Sequence, residues 1–277
     1  MVKIEESGKK ISVKGPYSAD ILKSLATYDE IENLSLTGLK NLTVKIAEGL
    51  CHLKSVKELF LWSTVNRTAM RHVITIPNLE VLDILAIDNP GKLVKFSEAT
   101  ELKTFRCNHY MSEADLLEIS NLPKIQEIGA QSSEITKRAL DALLCLPNLT
   151  NIDLEATAFS DNLAAIIATS KTIKHLSIGA SKLTARGLQS ISAMSQLESL
   201  DIWSVNINEA DLAPVSKLQN LQYLSVGGHE GQTRLTFKGI MPHINQLPAL
   251  RSLWLDGIAL SKTEILDMNT KYTYFKN

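Results

Sequence analysis

A six-residue pattern, L-x-x-L-x-L, recurs along this chain as IENLSL, VKELFL, LEVLDI, LKTFRC, IQEIGA, LTNIDL, IKHLSI, LESLDI, LQYLSV and LRSLWL. The residues at its fourth position are Leu34, Leu59, Leu82, Phe105, Ile128, Ile152, Leu176, Leu200, Leu224 and Leu253, at intervals of 25, 23, 23, 23, 24, 24, 24, 24 and 29 residues. A degenerate first copy, KKISVK, puts Ile11 at the same position, 23 residues before Leu34. A unit this short cannot bury its own apolar face, so successive units must stack and share one continuous core. The expectation is a single repeat domain over residues 1–277, with residues 1–30 as an N-terminal capping repeat and 250–277 as a C-terminal repeat and cap.

Alternating apolar residues make each hexapeptide a strand. Between strands the period lengthens. In LTARGLQSISAM the apolar positions are Leu183, Leu188, Ile191 and Met194, which predicts a helix. Helix starts are signalled at Ser112, Ser133, Ser160, Thr184, Asn208 and Ser261, several with an acid two or three residues on. Pro123, Pro147 and Pro248 lie between a helix and the next strand, where the missing N–H does little harm. The fourth unit departs from this plan. NPGKLVKFSEATEL contains Pro90 and Gly91 and has too little periodicity for a helix, so its outer side is expected to be extended or irregular.

These residues resemble a leucine-rich-repeat protein over essentially the whole chain. The 24-residue units, such as the one holding LSIGASKLTARGLQSISAMSQ, are similar to the short helical repeats of bacterial GALA-type and related cysteine-containing subfamilies. One feature departs from the family pattern. Where an asparagine is usual just after the strand, this chain has Leu39, Thr64, Ser133, Thr157, Ser181 and Val205. The resemblance implies an α/β leucine-rich-repeat solenoid of about 11 repeats, an arc or horseshoe with a parallel sheet on its concave face and helices on its convex face. At about 4.8 Å per strand its inner arc would measure roughly 50 Å.

The third, fifth and seventh positions of each hexapeptide and its following residue then point out of the core. All three tryptophans of the chain, Trp62, Trp203 and Trp254, fall there, joined by Phe60 and Tyr223. So do Glu58, Asp83, Glu127, Asp153, Glu155, Asp201 and Asp256, with Arg106 as the one certain base from the third unit onward and His175 ambiguous. Aromatic anchors in a polar field have the composition of a protein-binding patch, and the acids would steer a cationic partner. The competing reading is structural: carboxylates keep a solvated sheet face soluble, and aromatics favour strands on propensity alone. The unit from Leu224 to Leu253 is the longest, its excess lying in GGHEGQTR, a loop expected to overhang this face and to bring His229 to it. Replacing Trp203 by Ala and Asp201 by Lys together is expected to abolish binding while leaving the fold intact.

Other chemistry is not signalled. The net charge is −1, so no global pull toward nucleic acid or membrane exists, and an acidic face repels phosphate. MVKIEESGKK lacks a secretory apolar stretch, and no run approaches the roughly 18 apolar residues of a membrane span. Cys51, Cys107 and Cys145 form no C-x-x-C and are read as packing residues of a cytoplasmic protein. The six histidines are scattered, and His229 beside Glu230 has neither nucleophile nor oxyanion donor near it in sequence. No cofactor, metal or catalysis is expected, and the chain is expected to be monomeric on its own. The resemblance implies a partner-binding protein. Bacterial repeat proteins of this kind include immunity proteins that neutralise toxins, many of them basic nucleases, so an intracellular inhibitor of a basic toxin domain is the leading expectation. A bacterial effector or adaptor that binds a host or cellular protein is the alternative.

Overall fold

The structure is a computed structural model that describes residues 3–7, 9–25, 30–88 and 94–277, the first stretch as backbone only. The chain forms two compact units, Met1–Glu134 with Cys145–Leu149 and Ile135–Leu144 with Thr150–Asn277. In the first unit, strand Lys3–Ser7 runs antiparallel to Lys10–Lys14. Strands Asn33–Thr37, Glu58–Val65, Val81–Ile87, Thr104–His109 and Glu127–Ala130 then follow in parallel. In the second, Asn151–Asp153, His175–Ser177, Ser199–Asp201, Tyr223–Ser225, Ser252–Trp254 and Tyr274–Lys276 are all parallel.

The register confirms the repeat frame. Leu34 pairs with Leu59, Leu82 with Phe105, and Phe105 with Ile128. In the second unit Ile152 pairs with Leu176, Leu200 with Leu224, and Leu253 with Phe275. Each fourth-position residue is therefore laid beside its equivalent, and the sixth-position residues follow. Leu59, Leu61, Leu82, Ile84, Phe105 and Cys107 are all buried, as are Leu200, Ile202, Leu224 and Val226. Burying a leucine fully contributes about 1.5–3 kcal/mol, which no repeat could collect without a neighbour to cover it.

The helices return the chain along the other side of the core. Glu113–Ile119 buries Leu116 and Ile119, Asp161–Ile167 buries Leu163, Ala164 and Ile167, and Ala185–Ile191 buries Leu188 and Ile191. Ser112 and Ser261 close capping boxes, and Thr184 accepts from the Arg186 N–H. Ser160 holds the N-cap position without a side-chain cap. Ser133 does not start a helix. It is buried, the helix begins at Lys137, and the Thr136 hydroxyl accepts from the Ala139 N–H at 3.1 Å. Asn208 starts the 3₁₀ segment Glu209–Lys217 rather than an α-helix, as expected around Pro214, which lacks the N–H an α-helix needs there. Two further starts, Asn66 and Thr236, carry side-chain caps that the sequence reading passed over. In the fourth unit the described residues hold a 3₁₀ turn at Phe96–Glu98, while Pro90 and Gly91 lie outside the described residues. Of the three cysteines only Cys107 is fully buried; Cys51 is half-buried and Cys145, just past its helix, is exposed.

Hydroxyls and acids stand in for the missing asparagines. Ser133 Oγ accepts from the Met111 N–H of the preceding repeat at 2.9 Å. Thr157 donates to the Leu154 carbonyl at 2.7 Å. Acids on one helix also cap the next: Asp161 accepts from the N–H of Thr184 at 2.8 Å and of Gly187 at 3.0 Å. Glu209 does the same for the Thr236 N–H at 3.0 Å. The longest such link spans the helix-poor fourth unit. The guanidinium of Arg67 grips Asp115 in two parallel bonds of 2.6 and 2.7 Å. The Asp115 side chain is 0% exposed and that of Arg67 9%. Burial would raise the Asp115 carboxyl, but bonds from Arg67 and Ser112 outweigh it and hold the carboxyl below its usual range.

Removing one partner of a buried pair strands a charge, so Arg67→Met should lower stability by about 3–5 kcal/mol in chemical denaturation. Adding Asp115→Asn, which keeps an acceptor for Ser112 and removes the stranded charge, should recover part of that loss. A loss below about 1 kcal/mol for Arg67→Met would mean the pair is dispensable.

Candidate interaction surface

The outward positions of the first unit carry one exposed aromatic and one compact ion network. Trp62 is 55% exposed, and Phe60, two residues before it, is half-buried on the same face. Glu58 accepts from the side-chain amide of Asn33 on the preceding strand. Arg106 lies between two acids, with Nε 2.6 Å from Glu127 and a guanidinium nitrogen 3.6 Å from Asp83. Burial pushes the Asp83 carboxyl up, against the pull of Arg106. The outward-facing Glu58, Asp83 and Glu127 are thus already partnered, which the sequence, showing one arginine among several acids, did not disclose.

In the second unit the acids do two things. Asp153 accepts from the Glu155 N–H at 2.9 Å, and Asp201 accepts from the Trp203 N–H at 2.8 Å. Each bond joins a fifth position to a seventh and turns the chain out of its strand, as an Asx turn does. The next residues, Ala156 and Ser204, both sit at φ 57°, in the left-handed region. These carboxylates also crowd one another. Burial, then repulsion from Asp153 and Asp201, raises the Glu155 carboxyl. Burial raises Asp201 despite the bonds it accepts from Trp203 and Ser225. A lysine at 201 would remove the turn's acceptor, so the expectation that Asp201→Lys leaves the fold untouched does not fit this geometry.

The long loop reaches the same face. The His229 ring meets Trp203 edge-on at 4.7 Å between centroids. Gly227, at φ 137°, lies so close to the next repeat that a Cβ would stand 2.1 Å from the Asp256 carbonyl oxygen. A Cβ on Gly257, at φ 73°, would stand 2.1 Å from the Gly228 carbonyl oxygen. Loop and strand end enclose a pocket of about 130 Å³ among Ser204, Asn206, Gly228, His229 and Arg234.

Beyond the loop, three rings line up. Trp254 has Tyr223 on one side and Tyr274 on the other, each with centroids 5.8 Å away. Burial and the nearby Asp201 push the Tyr223 hydroxyl up to about 12. Tyr274 and Lys276 belong to a strand the hexapeptide search missed. They pair with Ser252 and Trp254, and so occupy a third and a fifth position. The alternation in T-Y-F-K was the available signal. Lys276 Nζ lies 4.3 Å from the Trp254 ring centroid and 3.5 Å from Asp256.

No protein-family model and no curated protein matches this chain. Solved structures do. An internalin, InlF, from Listeria monocytogenes superposes with a TM-score of 0.55 at 19% identity, covering 98% of this chain and 87% of that one. A TDR receptor gives a TM-score of 0.50 at 17% identity over 88% of this chain and 41% of its own. A leucine-rich-repeat protein of Leptospira interrogans gives 0.48 at 17% identity, over 88% and 60%.

The chain has the leucine-rich-repeat fold. Its leucine-rich-repeat frame turns the strand-borne site residues away from the core and leaves His229 on the long loop, but does not gather them into one site. Asp83, Arg106 and Glu127 form one cluster in the first unit. In the second, Trp203 joins His229, Tyr223 joins Trp254, and Asp256 meets Lys276. Among the described residues no group of three or more His, Cys, Asp or Glu is placed to hold a metal, and no helix is long and apolar enough to cross a membrane.

The double duty of Asp201 is separable by mutation. Asp201→Ala removes the acceptor for the Trp203 N–H and should lower stability by about 1–2 kcal/mol. Asp201→Asn keeps an acceptor. Because the folded carboxyl is raised, its ionised form opposes folding above that pKa, so Asp201→Asn should be at least as stable as wild type at pH 7. Any gain should vanish as pH falls and the wild-type carboxyl takes up its proton. Thermal melts from pH 4 to 8 would show this, and equal losses for both variants would remove the turn from the explanation.

Proposed function

We propose that this protein is a non-catalytic module that binds a cationic protein through the outward sheet face of its second unit. The observation that carries this is the juxtaposition of crowded carboxylates with ring surfaces. Asp153, Glu155 and Asp201 repel one another, Tyr223 lies on the strand next to that of Asp201, and Trp254 and Tyr274 follow on the two strands beyond. A cationic partner relieves that repulsion while the rings supply apolar contact area. The partner's cation, not a proton, becomes the counter-charge.

The role this fits best is inhibition by occlusion: an intracellular inhibitor or immunity protein that covers the working surface of a basic toxin. The three cysteines are free, which suits a reducing compartment. Capture from the source organism's lysate with the intact chain and with Glu155→Lys, followed by co-expression with the captured protein, tests this. The expected outcome is a basic protein held by the intact chain alone, whose toxicity co-expression abolishes. A non-toxic basic partner would make the protein an adaptor or effector instead, and a partner held equally by Glu155→Lys would move binding off this face.

With the partner in hand, affinity should fall as salt rises from 0.05 to 0.5 M, where the screening length drops from roughly 14 to 4 Å. It should also fall as pH drops toward the carboxylate range. Since Glu155 and Asp201 are raised, the loss should begin at higher pH than for ordinary carboxylates, and binding should release protons. A salt-independent affinity would remove electrostatics from the account.

A further inference from the structure

The cluster around Trp254 already contains a cation. We propose that the Trp254 ring, with Asp256 beside it, is the seat for a lysine or arginine side chain of the partner, and that Lys276 occupies this seat in the free protein as an internal substitute. This rests on the reading above that the face takes a cationic protein, and adds to it a particular seat and a built-in competitor.

Three observations converge on the seat. Lys276 Nζ stands 4.3 Å from the Trp254 centroid, within the range where an indole face attracts an ammonium. Its second contact is the Asp256 carboxylate at 3.5 Å, so ring and carboxylate share one charge. The flanking tyrosines, each 5.8 Å from Trp254, wall the ring on both sides and restrict approach to its face. Ring face and carboxylate together suit an ammonium or a guanidinium.

The occupant is replaceable. The Lys276 side chain is 47% exposed and that of Asp256 30%. A pair this open contributes little, and Lys276 released from it keeps its charge in water. Exchange for a partner's cation therefore strands nothing buried. The closed arrangement also leaves one group unmet: the Trp254 indole N–H is buried with no acceptor. A main-chain carbonyl arriving beside the partner's cation would satisfy it, which Lys276 does not.

The fold explains why this lysine is the substitute. Trp254 and Lys276 are register partners on adjacent parallel strands, so both side chains leave the sheet on the same side. The Lys276 carbonyl accepts from the Leu255 N–H at 2.9 Å, and Asn277 donates to the carbonyls of Leu255 and Ile258 at 2.9 and 2.7 Å. The backbone is thus held while the long side chain is free to leave.

The experiment uses the full chain, labelled with ¹⁵N, and a blocked trilysine peptide as probe. The three tryptophan indole signals are assigned with single Trp→Phe variants, and the peptide is titrated into wild type, Lys276→Met and Lys276→Arg. Removing the competitor should tighten trilysine binding about two- to fivefold in Lys276→Met, with the Trp254 indole signal moving most. Lys276→Arg should bind like wild type, because an arginine refills the seat. Unchanged Trp62 and Trp203 signals in the free Met variant report that its fold is intact. Equal affinity in wild type and Lys276→Met, with shifts confined to Asp153, Glu155 and Asp201, would overturn the seat and leave the cationic-partner reading standing. No binding to any of the three proteins would overturn both.

Discussion

Everything in this protein depends on equivalent leucines lying side by side on neighbouring strands. A repeat of some two dozen residues has one strand and a helix of about two to three turns, too little to enclose a core. Laying Leu200 beside Leu176 and Leu224 closes the core from both sides, and simultaneously fixes what the strand shows to solvent. A slip of one residue would bury Asp201 and expose Leu200. The register is therefore held by a large apolar penalty, and the outward face inherits its order from the inward one.

That outward face is structural before it is functional. Asp153 and Asp201 end their strands by holding the N–H groups of Glu155 and Trp203, and a left-handed residue completes each turn. The Asp201 carboxyl is buried enough to be raised, and it and Asp153 stand close enough to Glu155 to repel it. The same residues thus shape the repeat and charge its surface. The two units differ here. In the first, Arg106 gathers Asp83 and Glu127 into a closed network. In the second, Lys276 pairs with Asp256 at 3.5 Å through a side chain that is 47% exposed, which is a weaker hold.

The missing asparagines show how one fold tolerates different chemistry at a fixed need. The backbone groups at the strand-to-helix turn must be paired wherever they are buried. Ser133 and Thr157 do this with hydroxyls, while Asp161 and Glu209 tie each helix start to the next. Arg67 and Asp115 extend the same logic from the third unit's helix to the fifth's with a charged, two-bond link.

The sequence by itself determined the repeat, the inward and outward sets, and the helix starts at Ser112, Ser160, Thr184 and Ser261, because each is a local pattern: period two, a longer apolar period, or a capping residue. Ser133 misled because a serine ahead of an apolar run looks the same whether it caps its own helix or serves the preceding repeat. Cys145 misled because it lies one residue past the helix that would have buried it. Only the tertiary structure decided which charges meet. Arg67 reaches Asp115 across 48 residues, and Lys276 folds back onto Trp254 and Asp256 one repeat earlier. Such meetings depend on side-chain reach between stacked repeats, helix to helix for Arg67 and strand to strand for Lys276, and neither hydrophobic period nor composition encodes that reach.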